Sequence, residues 1–371
     1  MPGPRETTRV AREKALLVQA ILGRQGREHA RDSLEELERL ADTAGAVVVG
    51  SITQHRDRPT HAYYVGEGKL DDVRAACAET GANLVIFDNE LSPLQVNKLD
   101  LALEVKVIDR TELILQIFAR RARSAESQIQ VELAQLQYLV SRLPLSEKQP
   151  RFTGGIGMRG PGESPLRLRN EPMRRRIRDL QAKMEAAQER RARTRARRPW
   201  PVVGLVGYTN AGKSTLLTAL SGAETYADDR LFATLDTKSR LVHLPDGRDA
   251  MLTDTVGFIR NLPHGLIASF RSTLDEVREA DLLLHVADAS HPYVREHCEV
   301  VFDTLAAIGA EHVPAQVLFN KCDLPAAQAQ LPGLLAVFPE ALPTSALQDE
   351  GLAAVKQRIA ERLSLKTPAP E

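Results

Sequence analysis

The sequence predicts an α/β protein with three parts and a short tail (364–371). We expect a parallel α/β domain over residues 1–110, a helical hairpin over 111–198 and a second, mostly parallel α/β domain over 199–363. Three observations predict this fold. Short apolar runs alternate with helix-like stretches in the first and third parts, two heptad repeats lie in the middle part, and one apolar run leads into a phosphate-binding loop.

The composition excludes several classes of protein. The 371 residues are 43% hydrophobic, which is ordinary for a globular chain, but only 4% aromatic, which leaves little material for stacking single-stranded nucleic acid. Three cysteines without a C-x-x-C pair argue against a disulfide framework and a zinc site. Apolar runs fall short of the roughly 18 residues of a membrane span, and the N-terminus lacks the apolar stretch of a secretory signal. We therefore expect a cytoplasmic protein.

The first part is predicted to contain four buried strands separated by three helices. The strands are the apolar runs at 14–22, 46–52, 83–88 and 104–109. The helices between them lie at 32–45, 67–81 and 92–103. Asp32 and Ser92 are the predicted N-caps, and Gly45 and Gly81 are predicted to end helices. Strands that alternate with helices favour a parallel sheet.

The middle part is predicted to fold as an antiparallel helical hairpin. Apolar residues spaced alternately by four and three positions mark one face of each helix: Ile129, Leu133, Leu136, Val140 and Leu143, and then Met173, Ile177, Leu180, Met184 and Ala187. The two faces should pack on each other, and Pro144 should end the first helix. The loop 151–165, with five glycines, should lie at the free tip.

Charge is unevenly distributed along this neutral chain. Residues 151–200 contain fifteen Lys or Arg against five Asp or Glu, a net charge of +10, so the remainder carries −10. A basic segment attached to acidic domains suggests a polyanionic partner. A solvated helix surface would carry the same charges, and the sequence leaves both interpretations open.

The third part begins after a Pro199-Trp200-Pro201 break and is predicted to contain five strands. These strands lie at 201–207, 240–244, 249–255, 281–288 and 315–321. Pro245-Asp246-Gly247 is a predicted turn between the second and third strands, which gives one antiparallel hairpin in an otherwise parallel sheet.

A phosphate-binding loop follows the first of these strands. Residues 207–214 match G-x-x-x-x-G-K-[ST] and open a helix, which is the context this motif requires. Backbone N–H groups of the glycine-rich loop and the helix N-terminus favour phosphate oxygens. Lys213 should reach the β- and γ-phosphates, and the Ser214 hydroxyl should bind Mg²⁺. The residues expected to contact the nucleotide are Gly207, Tyr208, Thr209, Asn210, Ala211, Gly212, Lys213, Ser214 and Thr215.

Three further motifs follow in order and indicate guanine nucleotides. The first is Asp254, Thr255, Val256 and Gly257, where Asp254 can hold Mg²⁺ through water and the Gly257 N–H can bond the γ-phosphate. The second is Asn320, Lys321, Cys322 and Asp323. The Asp323 carboxylate can accept N1–H and the exocyclic amine of guanine, a donor pair that adenine lacks. The third is Ser345, Ala346 and Leu347, whose backbone N–H groups could meet guanine O6.

With these motifs in place, residues 201–363 resemble a translation-factor-class, Ras-like P-loop GTPase domain. Nearly the whole chain resembles the HflX family of ribosome-binding GTPases. The motifs that carry this resemblance are F-A-T-L-D at 232–236, D-T-V-G-F-I at 254–259, Y-V-G-E-G-K at 64–69, V-I-D-R-T at 107–111, V-E-L-A-Q-L at 131–136 and R-G-P-G-E at 159–163.

The resemblance implies a first switch with nucleotide-contacting residues Phe232, Ala233, Thr234, Leu235 and Asp236. It implies that Mg²⁺ is held by Ser214, Thr234 and, through water, Asp254, and that Lys213, Thr234 and Gly257 serve hydrolysis.

The resemblance also implies that the hairpin tip, around Arg159, Gly160 and Gly162, docks on rRNA of the large (50S) ribosomal subunit. GTP binding and hydrolysis would then split or rescue stalled ribosomes, and we expect a monomer. Two alternatives remain: an RNA-binding scaffold that uses GTP as a switch with negligible hydrolysis, and a GTPase acting in tRNA modification.

Two positions need separate interpretation. Many GTPases carry Gln after D-x-x-G to orient the attacking water, but this chain has Phe258, so we expect slow hydrolysis that the ribosome stimulates. Another side chain in cis could instead position the water. In the first part, Gly66, Gly68 and Lys69 could cradle a second nucleotide such as ATP, or could form a turn before a helix.

Overall fold

The computed structural model of the protein describes residues 13–23, 29–142, 165–195, 199–222, 231–232, 235–260 and 271–364. The chain divides into two compact units. The first unit comprises Met1–Ile117 and Tyr138–Glu171, and the second comprises Phe118–Gln137 and Pro172–Glu371.

The first unit is built on a parallel sheet, as the alternation of strands and helices predicts. Its described strands are β1 (Lys14–Leu22), β2 (Val47–Arg56), β3 (Leu84–Phe87) and β4 (Lys106–Asp109), in the spatial order β2-β1-β3-β4. The helices between successive strands are α1 (Ala30–Thr43), α2 (Glu67–Thr80) and α3 (Pro93–Leu103). A further helix, α4 (Arg110–Arg121), starts directly after β4, in a stretch for which no element is predicted.

Local sequence signals account for several helix ends. Ser92 caps α3 through a capping box, because its Oγ accepts from the Gln95 backbone N–H while the Gln95 side chain accepts from Ser92 N–H. Gly81 ends α2 in the left-handed conformation, at φ +65°, and Gly45 follows α1 at φ +87°. These ends were all predicted.

The predicted N-cap at Asp32 is wrong. Helix α1 begins at Ala30, and His29 occupies the N-cap position. Asp32 therefore lies in the first turn, where it is buried. A negative charge at this position interacts favourably with the helix dipole.

Two long helices form the predicted antiparallel hairpin. They are α5 (Ala125–Arg142) and α6 (Pro165–Arg195). The apolar faces pack as the heptad spacing predicts, with a buried core of Leu133, Leu180 and Met184 flanked by Ile129, Leu136 and Ile177. Ion pairs between Arg191 and Glu126 and between Arg176 and Glu132 are consistent with opposite helix directions. The predicted tip residues 151–164, together with Leu143 and Pro144, lie outside the described residues.

The second unit contains a mixed sheet around a central strand. Its described strands are β5 (Val202–Val206), β6 (Lys238–His243), β7 (Asp249–Asp254), β8 (Leu282–Asp288), β9 (Ala315–Asn320) and β10 (Leu342–Pro343), in the order β10-β9-β8-β5-β7-β6. Only the β6–β7 pair is antiparallel among these described strands, so the turn at Pro245 is confirmed.

Helices cover this sheet and complete the second core. They are α7 (Lys213–Ser221), α8 (Arg271–Arg278), α9 (Val294–Ala307), α10 (Pro325–Val337) and α11 (Leu352–Ser364). Val203 and Leu205 of β5 are fully buried against Leu216 of α7 and Ile359 of α11. Because β5 lies between β7 and β8, the chain leaves its carboxyl end at a point where parallel α/β sheets open a ligand-binding crevice.

Among the described residues, no helix combines the length and the apolar composition that crossing a lipid bilayer requires.

Candidate phosphate and guanine-nucleotide site

The loop between β5 and α7 has a backbone that only glycine accommodates at two positions. Gly212 is the N-cap of α7 at φ +93°, and a Cβ there would lie 2.2 Å from Asn320 Nδ2. A Cβ on Gly207 would lie 2.2 Å from the carbonyl oxygen of Val286. The predicted phosphate-binding loop therefore follows a buried strand and ends at a helix N-terminus, where its partial positive charge can meet an anion.

Lys213 is buried beside this loop. Its Nζ donates to the carbonyl oxygens of Gly207 (3.0 Å) and Tyr208 (2.8 Å). Burial lowers the pKa of Lys213 to about 8, although the nearby Asp254 carboxylate acts in the opposite direction. A cation removed from water in this way is stabilised by an incoming anion, and a phosphate chain supplies one.

Oxygen donors suited to a magnesium ion lie next to this lysine. The Ser214 Oγ donates to Asp254 Oδ2 at 2.6 Å, and Asp254 is fully buried at the end of β7. Thr255 is also buried, and its hydroxyl donates to the Leu205 carbonyl oxygen at 2.6 Å, which fixes the chain after Asp254. A hydroxyl and a carboxylate are ligands that Mg²⁺ accepts, so these residues fit the ion.

The segment after β7 pairs with the phosphate-binding loop. Phe258 N–H donates to the Gly207 carbonyl oxygen (3.1 Å), and Thr209 N–H donates to the Phe258 carbonyl oxygen (2.7 Å). Gly257 approaches so closely that a Cβ there would lie 3.0 Å from Lys213 Nζ. The Phe258 side chain is buried, so the described position of this residue offers no group for orienting water.

One side-chain amide joins the loops that follow β5, β9 and β10. Asn320 Nδ2 donates to the Ala211 carbonyl oxygen at 2.9 Å, and Asn320 Oδ1 accepts from the Ala346 N–H at 3.0 Å. Asp323 Oδ1 accepts from the Ser345 hydroxyl at 2.6 Å. Two motifs that are 22 residues apart in sequence are thus joined by a direct side-chain contact.

The remaining residues of the N-K-C-D motif are held by their own contacts. Lys321 Nζ lies 2.7 Å from Asp288 Oδ2, at the end of β8. Burial opposes ionisation of Asp288, but the charge and hydrogen bond of Lys321 outweigh it, so the pKa of Asp288 lies below its usual value. Cys322 is half-buried, and burial raises the pKa of its thiol, as expected for a packing residue rather than a nucleophile. The sequence did not indicate a role for Asp288, although this residue ends a buried strand as Asp254 does.

Predicted first-switch residues are described in part. Phe232, Leu235 and Asp236 are described, whereas Ala233 and Thr234 lie outside the described residues. The hairpin-tip residues predicted to contact rRNA, which are Arg159, Gly160 and Gly162, also lie outside them.

Other predicted positions are less enclosed. Leu347 is 75% exposed, so it offers its backbone rather than a buried side chain. Asn210, at φ +61°, is exposed at the loop surface, and Thr215 and Val256 are half-buried.

The second phosphate-loop candidate has the geometry of a helix start. Gly66 is the N-cap of α2, and its N–H donates to Gln54 Oε1 at 2.9 Å. Lys69 is paired with Asp72 at 2.7 Å, and a Cβ on Gly68 would meet open space. These contacts favour the interpretation of the stretch as a turn before a helix.

Two aromatic side chains near the loop make contacts that the motif does not predict. The Tyr208 ring stacks on His297 at a centroid distance of 3.8 Å, and its hydroxyl accepts from the Arg260 N–H at 2.8 Å. His285, on β8, is fully buried, and its ring contacts Phe302 edge-on. Burial, reinforced by the charge of Lys213, lowers the pKa of His285 to about 3.

Comparison with known families assigns consecutive parts of the chain to three descriptions. Residues 31–119 match "GTP-binding GTPase N-terminal", residues 121–198 match "GTP-binding GTPase Middle Region", and residues 202–321 match "50S ribosome-binding GTPase".

Curated relatives match most of the chain. GTPase HflX of Caldanaerobacter subterraneus is 48% identical over 317 residues, which cover 84% of this chain and 73% of the relative. GTPase HflX of Escherichia coli K12 is 46% identical over 297 residues, which cover 79% and 70%. A solved structure, described as the SsGBP and GDP complex, superposes with a TM-score of 0.54 at 24% identity and covers 95% of this chain and 99% of its own. At that identity the superposition shows a shared fold.

We predict that Asn320→Ala lowers the affinity for GDP about tenfold, because it removes the hydrogen bonds that hold two loops of the pocket together. Titration with a fluorescent GDP analogue measures the effect. Gln316→Ala is the matched control, since Gln316 is another buried amide on β9 whose side chain bonds Val317 and Glu340 instead. Equal affinities for wild type and Asn320→Ala would contradict the bridging role.

We predict that the second unit becomes less stable as the pH falls. Histidine in an unfolded chain titrates near pH 6.5, whereas the folded pKa of His285 is about 3, so the unfolded state binds more protons in between. Stability should therefore decline below about pH 6.5. Urea unfolding midpoints across this range measure the slope, which His285→Leu should flatten. The exposed His312→Leu is the control, and an unaltered slope in His285→Leu would refute the assignment.

Proposed function

Because the chain belongs to the HflX family of GTPases, we propose that it uses GTP on the large ribosomal subunit to split or rescue stalled ribosomes. The single observation that carries the chemistry is the convergence of Lys213, the Ser214–Asp254 pair and Asp323 at the carboxyl edge of one sheet. Each group is matched to a different part of a guanine nucleotide.

The phosphate end of the site suits hydrolysis. In the proposal, Lys213 holds the β- and γ-phosphates, and the Gly257 N–H bonds the γ-phosphate. Ser214, Thr234 and, through water, Asp254 hold Mg²⁺. The ion, when bound, neutralises charge that develops on the phosphate oxygens. The close approach of Gly257 to Lys213 supports this assignment, since both must reach the same phosphate group.

The base end of the site suits guanine. Asp323 would accept the N1–H and the exocyclic amine, and the backbone at 345–347 would approach O6. The hydrogen bond from Ser345 to Asp323 supports this arrangement because it orients the carboxylate and brings the two motifs together. Adenine would leave the Asp323 carboxylate without this donor pair, and an unsatisfied acceptor costs about 1–3 kcal/mol.

Ribosome binding would use the hairpin. Helix α6 is rich in arginine, and Arg174 and Arg175 are exposed on it, which supports contact with a polyanion. We assign the rRNA contact to the tip around Arg159, Gly160 and Gly162. The proposal includes the division into an N-terminal domain (1–110), hairpin (111–198), GTPase domain (199–363) and tail (364–371), in a cytoplasmic monomer.

We predict slow GTP hydrolysis that large ribosomal subunits accelerate. Phe258 is buried and has no hydrogen-bonding group, so we propose that a partner orders the attacking water. Groups supplied by a partner are worth about 10³–10⁵ in rate in this reaction class. Multiple-turnover phosphate release with and without 50S subunits measures the effect, and Lys213→Ala is the inactive control. Sucrose-gradient profiles measure the conversion of 70S ribosomes to subunits. A rate unchanged by subunits would favour a switch that acts without partner-stimulated hydrolysis.

We predict that Arg159→Ala combined with Gly160→Ala weakens co-sedimentation with 50S subunits and leaves GDP affinity unchanged. The reason is that the tip would supply bidentate phosphate contacts that the nucleotide pocket does not use. Arg193→Ala is the matched control, because Arg193 is an exposed arginine of the same hairpin. If the tip variant lost GDP binding as well, the tip would have a structural role instead.

A further inference from the structure

Two described residues of the first switch contact a segment outside the GTPase fold. This segment comprises residues 118–127, which span the end of α4 and the start of α5. On one side, the Phe232 ring meets the Phe118 ring edge-on, at a centroid distance of 4.7 Å and an interplanar angle of 72°. Both rings are buried, so this contact removes apolar surface from water.

On the other side, Asp236 binds the N-terminus of α5 through both carboxylate oxygens. Its Oδ2 accepts from the backbone N–H groups of Arg123 (3.0 Å) and Ser124 (3.2 Å). Its Oδ1 accepts from the Ser124 hydroxyl at 2.6 Å. Asp236 is thus joined to Arg123, which lies 113 positions earlier in the chain, and to Ser124, which lies 112 positions earlier. Charge-assisted hydrogen bonds at a helix N-terminus are among the stronger polar contacts in proteins.

Ser124 connects this contact to the helix itself. Its Oγ accepts from the Ser127 backbone N–H at 3.1 Å, which is the contact of an N-cap residue. The same hydroxyl therefore caps α5 and donates to Asp236. Movement of the α5 N-terminus would move Asp236 with it.

These contacts lie on both sides of Thr234 in sequence. Thr234 itself lies outside the described residues, but Phe232 and Leu235 next to the gap are both buried. Phe232 has a φ of +54°, which is a strained value for a phenylalanine and persists only where the surroundings impose it. The ring contact with Phe118 is one such constraint.

We propose that Ser124 is a positioning residue of the GTPase reaction: by holding Asp236, it fixes the carboxyl-terminal end of the first switch. The inference rests on the proposed function, since it assigns Thr234 to hydrolysis. Helix α5 packs on α6 in the hairpin, so the helix that holds the switch contacts the helix whose exposed arginines are proposed to face the ribosome.

The competing explanation is that Asp236 acts on the nucleotide directly. The two explanations differ in what Ser124 should do, because the contact of Ser124 with the described part of the switch is the one to Asp236. Ser124→Ala separates them, since it keeps the Asp236 carboxylate and removes one of the hydroxyls that bind it.

The test measures kcat and KM for GTP, and the dissociation constant for GDP, in the full chain. We expect Ser124→Ala to lower kcat about tenfold, the rate equivalent of one charge-assisted hydrogen bond, while the affinity for GDP stays unchanged. Ser124→Thr keeps the hydroxyl and should restore kcat. The Ser124→Ala, Asp236→Ala double variant should be no slower than Asp236→Ala alone, because Asp236→Ala already removes the acceptor of the Ser124 hydroxyl.

Ser92→Ala provides the matched control for a structural effect. Ser92 is also an N-cap serine, on α3 of the first unit, and its described hydrogen bonds join it to Gln95. Thermal unfolding should show a comparable loss of stability in Ser92→Ala and Ser124→Ala, but only the latter should lose kcat.

An unchanged kcat in Ser124→Ala, beside a wild type that hydrolyses GTP, would overturn the positioning role and leave the proposed function intact. The same role would be rejected if Ser124→Thr were as slow as Ser124→Ala, or if Ser92→Ala slowed hydrolysis equally. A wild type without GTP hydrolysis would overturn both the inference and the proposed function.

Discussion

The side-chain amide of Asn320 is the interaction on which the nucleotide pocket depends. It donates to the loop after β5 and accepts from the loop after β10, so one buried group sets the distance between the phosphate and base ends of the site. An amide suits this position because it carries both a donor and an acceptor. The position of this amide also requires glycine at residue 212, since a Cβ there would collide with the amide.

The charged groups of the pocket are held by hydrogen bonds to neighbouring protein groups. Lys213 is held by carbonyl oxygens rather than by a carboxylate, and its lowered pKa reflects burial that an anion would relieve. The Asp254 carboxylate accepts a hydrogen bond from the Ser214 hydroxyl, so oxygen atoms of the kind that Mg²⁺ prefers lie beside the lysine.

The compact unit that holds this pocket extends beyond the GTPase fold. It includes Phe118–Gln137, which contribute the start of α5, and the part of α6 that packs against it. The carboxylate of Asp236, in the first switch, therefore binds the N-cap residue of a hairpin helix. The start of this hairpin helix and the described part of the first switch therefore belong to one compact unit.

The sequence by itself determined the parallel strands, the heptad hairpin, the capping box at Ser92 and the phosphate-binding loop. These features depend on residues close together in the chain, so spacing and residue type report them directly. Tertiary structure alone decided that α1 begins ahead of Asp32, that Lys321 pairs with Asp288 and that Asp236 reaches Ser124. The last two pairs are separated by 33 and 112 positions, and only the order of strands and the packing of helices brings such residues into contact.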